Sequence, residues 1–347
     1  MSSIGVLGSG TWGTALARML AVNGHDVTLW SAFIEECNAL NLTRTHKNLP
    51  GMVIPKQLNI TNDIEEACKL KDILVFAVPS VYVRSTTNKA SSYIEDGQII
   101  VDVAKGIEPN TLYTMSEVIN DELSKVGKSN CKLVALSGPT HAEEVARDIP
   151  TAIVAACEDN NIAKIVQDIF TNTYFRVYTN PDVKGVELCG ATKNIIALAS
   201  GITAGLGYGD NSKAALITRG MAEITRLGKA MGCKEQTFAG LAGIGDLIVT
   251  ATSQNSRNNR CGYLIGQGVN VQEAIKQIGM VVEGINALPA TVELSKKYQI
   301  TMPIVEAVNS IVNDGVNPKD IALNLMNRDK KSEVLSSVQY EQVQNNK

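Results

Sequence analysis

No stretch limits the possible folds of this chain more than Gly8-Ser9-Gly10-Thr11-Trp12-Gly13. Residues 4–7 form a short apolar run that reads as a buried strand. Residues 14–21 (TALARMLA) read as a helix stopped by Asn23-Gly24, and a second apolar run follows at residues 27–30. Strand, glycine turn, helix and strand in that order is the context in which GxGxxG signifies dinucleotide binding; outside it the pattern is an ordinary turn. Gly8 permits the tight turn, Gly10 lets the backbone approach a pyrophosphate, and Gly13 lets the helix pack closely on the strand. Free N–H groups of the first helical turn, at the positive end of the helix dipole, then face the phosphates. An adenosine ribose is usually held by an acid about 20 residues further on, at the end of the second strand. Here that position reads Ser31-Ala32-Phe33, with Glu35 and Glu36 only later and no arginine or lysine nearby. The pattern predicts NAD or NADP without choosing between them.

A length of 347 residues accommodates two domains with separate cores. With 44% hydrophobic residues, 19% charged residues and a net charge of −3, the chain lacks the basic footprint of a nucleic-acid binder. No apolar run reaches the roughly 18 residues of a membrane span. The sequence enters its first strand at once, so no signal or transit peptide is expected, and a cytoplasmic location is. Seven scattered cysteines without a CxxC pair predict reduced, mostly buried thiols. Only His25, His46 and His141 occur, none spaced as a metal pair, so neither a metal site nor histidine catalysis is expected.

Beyond the second strand, residues 37–51 read as a polar loop. Asp63 with Glu66 three residues later forms a capping-box pattern for a helix over 63–70. Unbroken apolar runs at 73–78, 99–104, 133–136, 151–157 and 174–178 read as strands, and helices are expected over 111–125 and 161–170. Such alternation predicts an α/β fold, a Rossmann-like domain with a mostly parallel sheet covered on both faces. Ligands of such sheets lie beyond the carboxyl ends of the strands. Gly8, Pro79, Lys105 and Gly138 all follow strand ends, so their loops should converge on one crevice. The character changes near Pro181. Helical periodicity predicts helices at 184–201, 212–231, 257–266, 271–278, 286–297, 305–312 and 318–325. The expected division is a dinucleotide-binding domain over 1–180 and an all-helical domain over 181–347, with a frayed polar tail in the last dozen residues.

Within the helical half, VELCGATKNIIALASGITAG carries Lys193. Its neighbours one turn away are Cys189, Gly190, Ile196 and Ala197, none of them acidic. A lysine on such a stripe either snorkels to water or points into a dry site, where desolvation lowers its pKa and suits it to proton transfer. Both readings stay open. A buried ammonium would need a partner, and the glycine-rich loop 240–247 offers Asp246, which reads equally as a helix-start aspartate. At Asn255-Ser256-Arg257-Asn258-Asn259-Arg260, cations in a first helical turn oppose the dipole unless an external anion compensates. Hydroxyl, amide, guanidinium and helix N–H groups together suit a phosphate; the alternative is a solvated polar loop. Lys105 is the remaining cation at the crevice. Gly138-Pro139-Thr140-His141-Ala142 is a small-residue turn for ligand contact or an ordinary helix cap, and Glu283 is an adenosine-side acid or a helix-end charge.

Taken together, GSGTWGTALA, VAKGIE, LSGPTHAEEVAR, ELCGATKNIIALASGI, GDNSKAALITRG, GLAGIGDLIVTATSQNSRNNRCG and VVEG, in this order, resemble the bacterial-type NAD(P)-dependent glycerol-3-phosphate dehydrogenases, from residue 4 to about Glu333. The resemblance implies reversible reduction of dihydroxyacetone phosphate to sn-glycerol 3-phosphate for phospholipid synthesis, by a homodimer. It implies that Lys193 is the proton donor and acceptor, supported by Asp246 and Lys105. Lys105, Gly138, Thr140, Lys193, Asp246, Ser256, Arg257 and Asn258 would contact the substrate. Gly8, Gly10, Thr11, Trp12, Gly13, Lys105, Ala142, Arg257, Val281 and Glu283 would contact the cofactor. Family members usually carry Arg or His where this chain has Ala32, a residue that helps hold a 2′-phosphate, so the resemblance leans here to NAD or dual use. A 3-hydroxyacid dehydrogenase of similar build, also with a helix lysine, is the nearest enzymatic alternative, and a catalytically silent dinucleotide sensor the non-enzymatic one.

Overall fold

The apolar runs pair into one sheet in the computed structural model, which describes residues 1–330, 332 and 333. Its strands are β1 (Ser3–Leu7), β2 (Asp26–Trp30), β3 (Asn59–Thr61), β4 (Ile73–Phe76), β5 (Ile99–Asp102), β6 (Lys132–Ser137), β7 (Thr151–Ala156) and β8 (Phe175–Asn180). They lie in the order β3-β2-β1-β4-β5-β6-β7-β8. The first six, in the order 3-2-1-4-5-6, give the doubly wound dinucleotide-binding topology, with its switch point between β1 and β4. All neighbours are parallel except β6 and β7, which run antiparallel. Leu7 pairs with both Trp30 and Phe76, and Phe76 with Asp102, so the carboxyl ends of β2, β1, β4 and β5 finish level. The glycine turn and the loops after β4 and β5 therefore open on one edge.

Three local expectations are corrected. Residues 37–51 are not all loop, because the helix Ile34–Thr43 occupies their first half, burying Cys37 and Leu40. Its apolar positions are too few to give a helical period, which is why the sequence pattern missed it. Strand β3 is only three residues long and was not read. At Asp63 the carboxylate does cap the helix Ile64–Cys68, accepting from Glu65 N at 2.9 Å, but Glu66 turns to Asn59 Nδ2 instead of closing the box. A complete capping box forms instead at Thr114 and Glu117, starting the helix Met115–Ser124 after residue 111.

After Asn180 the described chain forms helices without further strands. Seven helices fall where periodicity predicts them, the longest being Val183–Gly205; Glu235–Phe238 and Asp246–Thr252 were not read. Val183–Gly205 is buried on all sides from Gly185 to Ile202, as a helix apolar around its whole circumference must be. Its glycines are packing devices. A Cβ on Gly201 would lie 2.0 Å from Asn259 O, and one on Gly262 of the helix Arg257–Gly266 would lie 2.1 Å from Leu198 O. Backbone meets backbone at this crossing, which brings the start of Arg257–Gly266 against the middle of the core helix. Glu187 of the core helix accepts from Ser116 N at 2.7 Å and Ser116 Oγ at 2.6 Å, at the start of the helix Met115–Ser124. That bond fixes the core helix against the sheet layer.

All seven cysteines are free, six of them buried. No described helix is long and apolar enough to cross a membrane. The tail expected to fray lies outside the described residues. Because alanine has the higher helix propensity by about 0.8–1.0 kcal/mol, Gly262→Ala would stabilise a helix free of neighbours. Here it should instead lower unfolding free energy by a net 1–3 kcal/mol or so, read from denaturant titration; unchanged or raised stability would refute the close crossing.

Candidate active site

The glycine turn has the shape its sequence requires. Gly8 adopts φ +122°, and a Cβ there would lie 2.7 Å from Ala77 O; a Cβ on Gly13 would lie 1.9 Å from Gly8 O. A Cβ on Gly10 meets nothing within 4 Å. Packing inside the protein therefore demands glycine at the first and third positions but not at the second. What the missing side chain at Gly10 provides is open space on the outer face of the loop, the face from which a pyrophosphate approaches. Thr14 N closes the first turn of the helix Thr11–Val22 on Gly10 O, leaving the N–H groups of Thr11, Trp12 and Gly13 outside the helical ladder. These residues fit a dinucleotide.

Two strand ends along, three charged side chains meet. Lys193 lies in mid-helix and is only 4% exposed; Asp246, in the first turn of Asp246–Thr252, is 1% exposed. Lys193 Nζ donates to Asp246 Oδ1 at 2.8 Å, and Lys105 Nζ, from the loop after β5, donates to Asp246 Oδ2 at 2.6 Å. One carboxylate thus holds two ammonium groups, one per oxygen. Lys193 also donates to Thr250 Oγ1. That hydroxyl in turn donates to the Asp246 carbonyl at 2.7 Å, one turn back along the same helix. Lys105 makes a further bond to Gly138 O at 3.2 Å, tying in the loop after β6. Gly190 is where Lys105 crosses the core helix: a Cβ there would sit 3.4 Å from Lys105 Cγ and 3.2 Å from Ser137 Oγ.

Burial is the largest influence on Lys193, and it outweighs the pull of Asp246, with Lys105 and Arg257 adding repulsion; the pKa falls to about 7. For Asp246 burial acts upward, but the two ammonium groups override it and hold the carboxyl below its ordinary value. The amine of Lys193 is therefore poised between its protonation states near neutrality, beside a carboxylate that stays ionised.

Ser256 caps the helix Arg257–Gly266, accepting from Asn259 N at 3.2 Å. The Arg257 guanidinium makes no hydrogen bond to any other described residue, although Glu283 and Glu143 lie close enough to oppose the lowering of its pKa by burial. Asn258 is committed to structure: its Nδ2 donates to Asn194 Oδ1 at 3.0 Å and its Oδ1 accepts from Gly284 N at 2.8 Å. Glu283 accepts from Ser80 N at 3.2 Å and Ser80 Oγ at 2.7 Å, beyond β4 and across β1 from the end of β2. An adenosine-side role does not fit that position; the contact joins the helical half to the sheet. Thr140 Oγ1 bonds to Gly138 O at 3.1 Å, Ala142 opens the short helix Ala142–Val145, and Val281 immediately precedes the Val282 cap of Glu283–Lys297. Thr250 was missed by sequence reading. Its signal was present, since a residue four after Asp246 on a helix shares its face. Among the described residues no group of three His, Cys, Asp or Glu side chains could hold a metal ion.

Comparison with known proteins gives a consistent picture. The family model described as NAD-dependent glycerol-3-phosphate dehydrogenase N-terminus matches residues 3–163, and the corresponding C-terminus model matches residues 182–323. A glycerol-3-phosphate dehydrogenase [NAD(P)+] 2 of Lactobacillus delbrueckii subsp. bulgaricus is 64% identical over 335 residues, covering 96% of this chain and 99% of the relative. A glycerol-3-phosphate dehydrogenase [NAD(P)+] of Agathobacter rectalis is 51% identical, covering 96% of this chain and 98% of its own. The crystal structure of glycerol-3-phosphate dehydrogenase from Coxiella burnetii superposes with a TM-score of 0.90 at 35% identity, covering 94% of this chain and 99% of that one.

Removing the shared carboxylate should expose what it balances. Asp246→Asn is expected to lower stability by about 3 kcal/mol at pH 6, because buried ammonium loses its counter-charge. Without the carboxylate the folded-state pKa of Lys193 drops further below about 7, while the unfolded lysine keeps its ordinary value. The penalty is therefore largest at acid pH and shrinks as pH rises through about 7. Denaturation of both proteins at pH 6 and pH 9 checks this, and a penalty independent of pH would contradict it.

Proposed function

The chain belongs to the NAD-dependent glycerol-3-phosphate dehydrogenase family, and we propose that Lys193, held by Asp246 beside Lys105, moves the proton in that family's reaction. It is an NAD(P)-dependent oxidoreductase interconverting dihydroxyacetone phosphate and sn-glycerol 3-phosphate. The observation that supports the proposal most strongly is a buried lysine brought to a pKa of about 7 by burial yet kept in reach of a carboxylate.

The bound dinucleotide supplies the hydride for reduction and accepts it in oxidation. As negative charge develops on the ketone oxygen, the Lys193 ammonium donates a proton to it. That charge exists fully only in the transition state, so a fixed ammonium lowers the barrier selectively. Asp246 and Thr250 aim the Lys193 nitrogen, and Lys105 adds a second positive charge that favours the developing alkoxide. In the reverse direction neutral Lys193 takes the hydroxyl proton. A pKa near neutrality lets one group serve both directions.

Arg257 grips the substrate phosphate in this reading, supported by a guanidinium that bonds to no other described residue and the Ser256-capped helix start behind it. Asn258 acts by positioning: its two bonds hold the core helix, the start of Arg257–Gly266 and the Val281-Val282-Glu283 segment in register. Gly138 and Thr140 line the same crevice from the loop after β6. Thr11, Trp12, Ala142, Val281 and Glu283 take the dinucleotide side. The reading further includes a cofactor domain over 1–180, a catalytic domain over 181–347, a homodimer, a cytoplasmic location and supply of glycerol phosphate for phospholipid synthesis.

Lys193→Ala should reduce turnover with dihydroxyacetone phosphate by at least about 10²-fold with circular dichroism unchanged; near-normal turnover would remove the assignment. In wild type, turnover in the reducing direction should fall as pH rises through about 7, and in the oxidising direction it should fall as pH drops through about 7. Parallel profiles in the two directions would be inconsistent with one shared acid and base. Arg257→Ala should raise the Michaelis constant for dihydroxyacetone phosphate roughly tenfold or more, with a smaller change in turnover. Unchanged saturation would exclude phosphate gripping.

A further inference from the structure

Although the end of β2 carries no acid in its sequence, one arrives there in space. Glu36 leaves the first turn of the helix Ile34–Thr43 and folds back over the strand end. Its Oε2 accepts from Ser31 Oγ, immediately after β2, at 3.0 Å and from Ser9 Oγ, inside the glycine turn, at 2.7 Å. Both donors are buried and themselves held in place. Ser31 N bonds to Thr61 O, Ser31 O accepts from Asn62 Nδ2 at 3.0 Å, and Ser31 Oγ accepts from Phe33 N at 3.3 Å. Ser9 lies between the two glycines that begin the turn, and its carbonyl accepts from Thr14 Oγ1 at 2.8 Å. One carboxylate oxygen is thus fixed to the loop that faces the pyrophosphate and to the strand end that faces the adenosine ribose. The other oxygen has no bond to a described residue.

From this geometry we infer that Glu36 selects NAD(H) over NADP(H), accepting a hydrogen bond from the unmodified adenosine ribose and repelling a 2′-phosphate. The inference rests on the dinucleotide reading of the glycine turn and assigns its adenosine end. An acid at the end of the second strand is the usual partner of a ribose hydroxyl, whereas a 2′-phosphate requires a nearby cation. The charges around Glu36 point the same way. Ala32 and Phe33 bring no charge to the exposed strand end. Arg44 has its guanidinium turned to Leu58 O at 2.8 Å and Asn41 Oδ1 at 3.3 Å. His46 is buried behind the turn, donating to the Ser9 carbonyl, and burial lowers its pKa although Glu36 opposes this, so it adds no positive charge near neutrality. Lys47, next to His46, is exposed, and the charge of a solvated side chain is screened. Discrimination here works by a repulsive element, not by an added attraction.

Sequence spacing hid this arrangement. Glu36 stands five residues past Ser31, too late for a strand-end acid, and only the turn of the following helix returns it to the ribose side. The seryl pair is what distinguishes a positioned carboxylate from a solvated one.

Calorimetric titration of the full-length protein with NADH and with NADPH tests the inference directly. Wild type should bind NADH at least about tenfold more tightly than NADPH. Glu36→Gln, isosteric and still able to accept from both serines, should narrow that ratio by about tenfold, chiefly through tighter NADPH binding. Equal affinities in wild type, or a ratio unmoved by Glu36→Gln, would overturn it. If turnover of dihydroxyacetone phosphate with either dinucleotide then persists, the dehydrogenase reading survives and only the selectivity fails. If neither dinucleotide binds, both fall together.

Discussion

One buried carboxylate shared between two ammonium groups is the interaction on which the proposed chemistry depends. Asp246 is nearly inaccessible to water, and so is Lys193. Leaving either charge unpaired there would cost several kcal/mol by the usual magnitude for a buried ion. Each oxygen of the carboxylate therefore has its own lysine, and the three residues come from three places: the core helix, a short helix after a glycine-rich turn, and the loop after β5. The site can assemble only when the sheet and the helical half are docked. Two further contacts enforce that docking, Glu187 with Ser116 and Glu283 with Ser80. Fold and reactivity are coupled through the same few polar groups.

Close helix packing makes the arrangement rigid. Glycines at Gly201 and Gly262 let two helices touch backbone to backbone, which carries Ser256, Arg257 and Asn258 to the flank of the core helix. Asn258 then connects Asn194, next to Lys193, with the amide of Gly284. The proton transfer proposed for Lys193 needs a closely held donor, and a mid-helix lysine braced on both sides meets that demand. The opposite end of the crevice is built on the same principle, with Ser9 and Ser31 fixing Glu36.

Much of this was legible in the sequence where local rules dominate. The glycine turn, the apolar strands and the seven long helices follow from backbone sterics and periodicity, which act over a few residues. Lys193 stood out because its own helix offered it no counter-charge, yet snorkelling and burial could not be separated from spacing alone. Its partner lies 53 positions away, at Asp246. Glu36 was noticed only as an acid that came too late, since the return of the helix over the strand end is tertiary. Thr250 was overlooked because a threonine signals chemistry only once its neighbours are known. Gly201, Gly262 and Gly266 fell within predicted helices, but their part in a backbone-to-backbone crossing is tertiary and left no mark on the sequence pattern. Composition records that a glycine is present but not what presses against it.

The proposed chemistry rests on the protonation of a single side chain. Titrating the Lys193 Nζ by NMR, with lysine labelled at the ε-carbon and ζ-nitrogen and Lys193→Ala used for assignment, reads that state directly. A midpoint near pH 7, carried lower by Asp246→Asn, is the predicted result. A midpoint near the ordinary lysine value of about 10.4 would mean a solvated ammonium, and would contradict the dry clamp at the centre of the site.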